Sequence, residues 1–338
     1  MWADFYLAVA AFVVISVFSW AAVKRLIVIL IKAKQLDQPN ERSMHSAAVP
    51  RGGGIVISLA MILALFVAAV FSSQPLFYSV FAILMGAWTV LSWWDDRSDL
   101  SAAIRIAPQF LFGIATIAAY GWVNRLAGFD IGHWGVIATL VGVVWMANLY
   151  NFMDGIDGLA ASQAVVAALT FTAWFYFLAS PILSLVCLVV AASSYGFLLN
   201  NWQPARIFMG DVGSVTLGAF FATCMILAAT RHQVPILSLM LIFGVFILDT
   251  SVTVMLRIRR REPFWKSHRQ HLYQRLVQSG FSHQMVTTGA ILMMLMCSLM
   301  ATLSLTHHAM ISFFIIIEIA AYTAFYVLCR HREKLIIK

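Results

Sequence analysis

The feature that most constrains this chain is a long succession of apolar segments separated by short polar loops. Eleven can be marked, near residues 4–31, 55–72, 76–94, 103–122, 133–149, 159–180, 182–199, 213–230, 235–256, 285–306 and 309–328. Each approaches the roughly 20 residues that carry a helix across a bilayer. Hydrophobic residues make up 62% of the chain and charged ones 11%. A soluble domain carries about 25% charged residues, so this chain has too few to cover a surface facing water. Lipid is the remaining solvent, and it leaves no backbone group unsatisfied, so the spans are helices. The fold class expected is all-α, a polytopic membrane protein with about 11 transmembrane helices. The least certain division falls at Ala179-Ser180-Pro181, where two helices must turn tightly.

The loops give the expected orientation. With the N-terminus outside, Arg125 and Arg231 are the only two of the 22 Lys and Arg residues on the outer side. Such a positive-inside bias puts the C-terminus in the cytoplasm. The first apolar segment lacks a basic start and is followed by Lys24, Arg25, Lys32 and Lys34, the pattern of a signal anchor rather than a cleaved leader. The formal net charge of +8 would suggest nucleic acid for a soluble protein. Here the basic residues sit between apolar segments, and no nucleic-acid partner is expected. Cys187, Cys224, Cys297 and Cys329 form no CxxC pair and read as small apolar fillers. No repeat or linker divides the chain, so residues 1–338 are expected to form one membrane-embedded domain. Its chemistry would lie on the inner loops 32–54, 95–101, 151–158, 200–213 and 257–283.

Those loops carry clusters of chemistry-bearing residues, whereas none of the outer loops contains a chemical constellation. The string Asp95-Asp96-Arg97-Ser98-Asp99 places adjacent carboxylates at a membrane boundary, where a cation or proton between them relieves repulsion. A solvated acidic helix end is the plainer alternative. In Asn148 through Gly158, Asn148, Asn151, Asp154 and Asp157 recur at spacings of three, which predicts one polar helix face near its inner end. A capped helix connection would explain one or two of them. Phe208-Met209-Gly210-Asp211-Val212-Gly213-Ser214 opens the eighth segment. Asp211 reads either as an N-cap or as a metal ligand beside a phosphate at the helix start.

The basic loop from Arg257 contains His268, Arg269 and His271. The two histidines are three apart, which predicts one helix face favouring an anion. The first loop, Asp37 through Gly54, mixes charge with a glycine run and reads equally as a structural loop or a substrate contact. Asp249 lies about two turns from the inner end of its segment and could buttress the site. Glu318 is a second intramembrane acid without a specific role. Asp95, Asp96, Asp154, Asp157 and Asp211 stand against Arg and His on one side of the membrane. That set of hard oxygens suits Mg²⁺, with Mn²⁺ as the alternative, rather than zinc. A cation, glycines at a helix start and a bilayer boundary together suggest a nucleotide diphosphate meeting a lipid phosphate. Such phosphoryl transfer rests on positioning and charge neutralisation. A secondary transporter is the alternative from another class, with a non-catalytic assembly scaffold behind it.

The motifs DDRSD, NFMDGIDG, FMGDVGS and HRQH, in that order from Asp37 to about Ser282, resemble the polyprenyl-phosphate N-acetylhexosamine-1-phosphate transferase family. The resemblance implies transfer of a sugar-1-phosphate from a UDP-N-acetylhexosamine to undecaprenyl phosphate in the bacterial inner membrane, with UMP leaving. By the same resemblance Asp95 is the catalytic base, supported by Asp96, and Asp211 is the metal ligand. Asn151, Asp154 and Asp157 would face the nucleotide, with Phe208 stacked on uracil. His268, Arg269 and His271 would meet the diphosphate or sugar. Many members carry further histidines after the RQH string, whereas this chain reads His271-Leu272-Tyr273-Gln274-Arg275. That departure resembles the O-antigen-initiating branch, whose donors include the deoxy-aminosugars UDP-FucNAc and UDP-QuiNAc. Membrane lipids surround the protein in this reading, and a homodimer is left open.

Overall fold

The structure, a computed structural model, describes residues 2–39, 44, 47–98, 101–263 and 268–336. Asn40, Glu41, Arg42 and His45 of the first inner loop, Asp99 of the acidic string, and 264–267 of the basic loop lie outside the described residues. The fold is all-α, as the apolar segments predict, apart from two short hairpins. The long helices are α1 (Trp2–Lys32), α2 (Ile55–Phe71), α3 (Pro75–Ser98), α4 (Ala102–Tyr120), α5 (Trp134–Phe152), α6 (Leu159–Phe177), α7 (Pro181–Asn201) and α8 (Asp211–His232). Then follow α9 (Ile236–Leu241), α10 (Gly244–Arg259), α11 (Leu272–Gln278), α12 (His283–Ser304) and α13 (Ile311–Ile336). Among the described residues, nine helices are long and apolar enough to cross a membrane. Helix α2, with 17 residues, is shorter.

Helix α8 is the central post. Every residue from Asp211 to Ala228 is buried. It is enclosed by α2, α3, α4, α5 and α6, and Phe221 on it stacks against Tyr150 of α5 and Phe171 of α6. Helix α7 packs on α6, α1 and α2. Small residues bring α1 and α7 together, as expected where lipid gives helices no hydrophobic reason to associate. Ser16 and Ser19 donate their hydroxyls to the Ala192 and Ser193 carbonyls at 3.1 and 2.8 Å. The outward faces of α1 and α13 are apolar: Leu7, Phe18, Ile29, Ile316 and Val327 are exposed, which suits them to lipid.

Two local expectations change. The segment 235–256 is not one helix but α9 and α10, broken at Ile242 and Phe243. Gly244 opens the second half because a Cβ there would overlap the carboxyl of buried Glu318 on α13. The basic inner loop contains a helix of its own, α11. The tight turn at Ala179-Ser180 places Ala179 at φ 56°, and Pro181 starts α7 without needing an amide partner. The four cysteines are buried and unbridged.

Candidate active site

The charged residues gather where α2 and α8 begin and α3 and α5 end. The segment before α2 lies against the segment before α8. Phe208 N–H donates to the Pro50 carbonyl at 2.8 Å, and the Gly53 and Gly54 N–H groups donate to Phe208 and Met209 at 2.9 Å each. This approach requires glycine. A Cβ on Gly54 would fall on the Gly213 backbone. Gly210 has φ 73°, and a Cβ there would meet Asp96 Oδ2 at 2.9 Å. The glycine run of the first loop is therefore a packing surface, and it delivers Arg51 to the acids.

Arg51 Nη2 lies 2.7 Å from Asp211 Oδ1 and 3.1 Å from Asp96 Oδ1. Burial alone would lower the pKa of this guanidinium, but Asp211, Asp96 and Asp37 outweigh it and hold the pKa above its ordinary value. Asp96 also accepts the Asp211 and Val212 N–H groups, at 3.0 and 2.9 Å. The first amides of a helix have no partner within it, and here a carboxylate from α3 supplies one. Asp211 is thus not the N-cap: Gly210 holds that position and has no side chain to offer. Nor are these two amides open to phosphate, since Asp96 is the anion on them.

The neighbouring Asp95 turns to Arg105 of α4, at 3.3 Å. The carboxyls of Asp95 and Asp96 both face that of Asp211. Asp154, in the turn after α5, accepts the Gly210 N–H and faces Arg51, Asp211 and Asp96. The residue keeps some exposed surface while its carboxyl is enclosed. That burial, with the two acids adding to it and Arg51 opposing, pushes Asp154 well above the usual carboxylate range. The four carboxyls offer oxygen donors alone, a set that fits Mg²⁺ or Mn²⁺. Among the described residues no three such side chains are drawn around one point; Arg51 holds Asp96 and Asp211 instead.

The spacing of three does not give one polar helix face, because α5 ends at Phe152. Asn148 donates to Gln109 of α4 at 2.7 Å, while Asn151 accepts the Ser214 hydroxyl of α8 at 2.9 Å. Asp157 lies outside the acid group. Its Oδ2 accepts the Ala205 N–H at 3.1 Å, and its Oδ1 lies 3.3 Å from His283 Nδ1 on α12. Phe208 sits beside Arg51 through a parallel bridge, partly exposed.

His268 and His271 do not share a helix face either; both precede α11, and His271 is its N-cap. Their rings nevertheless stack with centroids 4.9 Å apart. Asp249 of α10 anchors this group. Its Oδ1 accepts the Leu272 N–H at 2.9 Å and lies 3.2 Å from His271 Nδ1; its Oδ2 accepts the Tyr273 N–H at 3.1 Å. Tyr273 then donates its hydroxyl to the Phe152 carbonyl at 2.9 Å, tying the histidines to the end of α5. Burial, then His271 and Arg257, push His268 down to about 4, so its ring is neutral near pH 7. Arg269 lines a separate cavity with Arg260, Arg275 and Arg330.

Sequence comparison identifies the family. The chain is 30% identical over 268 residues to a probable undecaprenyl-phosphate N-acetylglucosaminyl 1-phosphate transferase of Bacillus subtilis (strain 168), covering 76% of this chain and 74% of that protein. The undecaprenyl-phosphate alpha-N-acetylglucosaminyl 1-phosphate transferase of Yersinia pestis is 28% identical over 268 residues, 75% of this chain and 72% of its own. A phospho-N-acetylmuramoyl-pentapeptide-transferase of Chlamydia muridarum is 28% identical over 269 residues, 68% and 76% of the two chains. Residues 77–229 match glycosyl transferase family 4. The chain belongs to glycosyl transferase family 4.

It is an enzyme of the polyprenyl-phosphate sugar-1-phosphate transferase family, which sets aside the transporter and scaffold alternatives. The matched stretch of this family 4 enzyme contains Asp95, Asp96, Asp154 and Asp211 but not Arg51, Asp249 or the histidines. Arg51 is the central residue that motif reading passed over. The available signal was its place at the head of the glycine run, with several acids elsewhere lacking a cation. Arg105 and His283 gave no local signal; the packing of α4 and α12 brings them to Asp95 and Asp157.

Proposed function

We propose that this enzyme transfers an N-acetylhexosamine-1-phosphate from its UDP-linked donor to undecaprenyl phosphate, releasing UMP at the cytoplasmic face of the bacterial inner membrane. The observation that carries the reading is the convergence of Asp95, Asp96, Asp154 and Asp211 at one end of the bundle, with two guanidiniums, Arg51 and Arg105, against the four acids. An excess of buried acids is what a site needs if its occupants are a cation and phosphates. Asp211, with Asp95 beside it, would hold Mg²⁺, which when bound supplies positive charge against the donor diphosphate. Asp95 orients the lipid phosphate and takes its proton, and one of that phosphate's oxygens attacks the phosphorus bearing the sugar. UMP leaves in line, so no bond to the protein forms. Asp96 keeps Asp211 in register by fixing the first turn of α8. His268 and His271 receive the sugar and diphosphate, while Asn151, Asp154 and Phe208 face the nucleotide; Arg269 faces the separate basic cavity instead. Asp157 acts by fixing the turn that presents Asp154.

The relatives' names point to N-acetylglucosamine, whereas the absence of a histidine cluster directly after His271, where the chain reads Leu272-Tyr273-Gln274-Arg275, favours a deoxy-aminosugar and the first step of O-antigen synthesis. The test is UMP release by purified protein with undecaprenyl phosphate, Mg²⁺ and a panel of UDP-N-acetylhexosamines. Release that needs both lipid and metal, and that Asp95→Asn and Asp211→Asn abolish, is expected. Absence of release with every donor, from protein that unfolds cooperatively on heating, overturns the reading. Labelled sugar-phosphate trapped on the protein without lipid would replace direct transfer by a two-step route.

A further inference from the structure

A polar cavity of about 330 Å³ opens between the ends of α10, α11 and α13. Its charge is opposite to that of the acid site. Arg260, Arg269, Arg275 and Arg330 line it, with Glu333 as the one acid. Glu333 is already engaged: both its oxygens accept from Arg275 at 2.8 Å, and Arg330 stands 3.9 Å away. Arg260 is exposed and has no ion pair among the described residues. Four guanidiniums around one carboxylate leave an excess of positive charge at the end of the bundle. Leu272 and Tyr322 form the wall of this cavity and also line an apolar cavity of about 150 Å³. That second space continues along Phe325 and Leu328 of α13 and Met285 and Gly289 of α12. A basic pocket at a helix end with an apolar cavity beside it matches an anionic head group and its chain. Guanidinium forks suit phosphate oxygens better than point charges would.

We propose that the basic cavity binds the phosphate of an anionic phospholipid, one of whose acyl chains lies in the adjoining apolar cavity. The lipid is a resident, not the acceptor. Its phosphate and its chain both lie against α11, whose Leu272 lines the two cavities, so its presence stiffens the segment that carries His271. The proposal is independent of which donor sugar the enzyme uses.

The test is native mass spectrometry of the full-length protein extracted from vesicles of phosphatidylglycerol mixed with phosphatidylcholine. One phosphatidylglycerol per chain should stay bound, and Arg260→Gln combined with Arg330→Gln should weaken its retention by about 30-fold, the worth of two basic side chains near a phosphate. Both arginines are solvent-facing and lie outside the acid site, so UMP release in detergent should be unchanged in the variant. Equal retention by the variant, or equal retention of phosphatidylcholine, overturns the proposal. Displacement by millimolar inorganic phosphate would make it a free-anion site, and displacement by equimolar undecaprenyl phosphate would make it part of the acceptor's path; either result overturns the resident lipid.

Discussion

Two helices of this enzyme, α8 and α11, begin on a carboxylate lent by another helix. Asp96 of α3 accepts the first amides of α8, and Asp249 of α10 accepts those of α11. The backbone problem is the same, but the surroundings differ. Asp249 is 3% exposed, and its other partners are the Thr253 hydroxyl and the His271 ring. That start is a closed clamp. Asp96 shares its place with Asp95, Asp154 and Asp211, and its counter-ion is Arg51, whose side chain is 43% exposed. That start is charged, crowded and reachable. A carboxylate on a helix start is structural by default; like charges around it and a displaceable cation make the start of α8 suited to chemistry.

Between the two helix starts, the larger effect is expected from Asp96→Asn, which keeps the shape but removes the charge and turns an amide NH₂ toward a backbone N–H. UMP release should fall by roughly 10²–10³-fold, the scale for losing a fixed electrostatic partner at a reacting centre. Asp249→Asn should cost roughly tenfold, the lower end for a partner that merely orients a site residue, read as kcat/KM. Equal losses would break the distinction between the two helix starts.

Much of this was legible in the sequence. Segment length and charge scarcity predict the helices, since lipid admits little else, and the acidic strings mark the right end of the bundle. The glycine at the start of α10 was not legible, because the group that leaves no room for a Cβ is Glu318, more than 70 residues away on α13. Nor was the division of labour among Asn148, Asn151, Asp154 and Asp157. Regular spacing implies one face only while the helix lasts, and α5 stops at Phe152. Beyond that point each side chain follows its own turn, and Asp157 ends on His283 rather than with the acids. The capping of α8 was hidden for another reason: the residue that caps it is 115 positions from Asp211.

The smallest effect concerns the clamp side. His268 sits at about 4 in the folded protein against an ordinary 6.5. The unfolded chain therefore binds more protons between those values, and stability falls as pH drops from 6.5 toward 4. Thermal unfolding midpoints in detergent should decline over that window, and His268→Gln should flatten the decline. An unchanged slope in the variant would assign the loss to other groups and leave the histidine pair out of the comparison.

The enclosure of α8 has a consequence for how the protein is made. Most of its wall, α2 through α6, precedes it in the chain, and α9 follows; chains made on the ribosome assemble from the N-terminus onward. When α8 leaves the insertion machinery, most of its socket is already in the membrane, with Asp96 and Arg51 at the mouth. The helix bearing Asp211 has no need to wait in lipid as a lone segment. The nascent chain can close its acid site before α10 and α11 are synthesised, and those later elements add the histidine clamp to a centre already built.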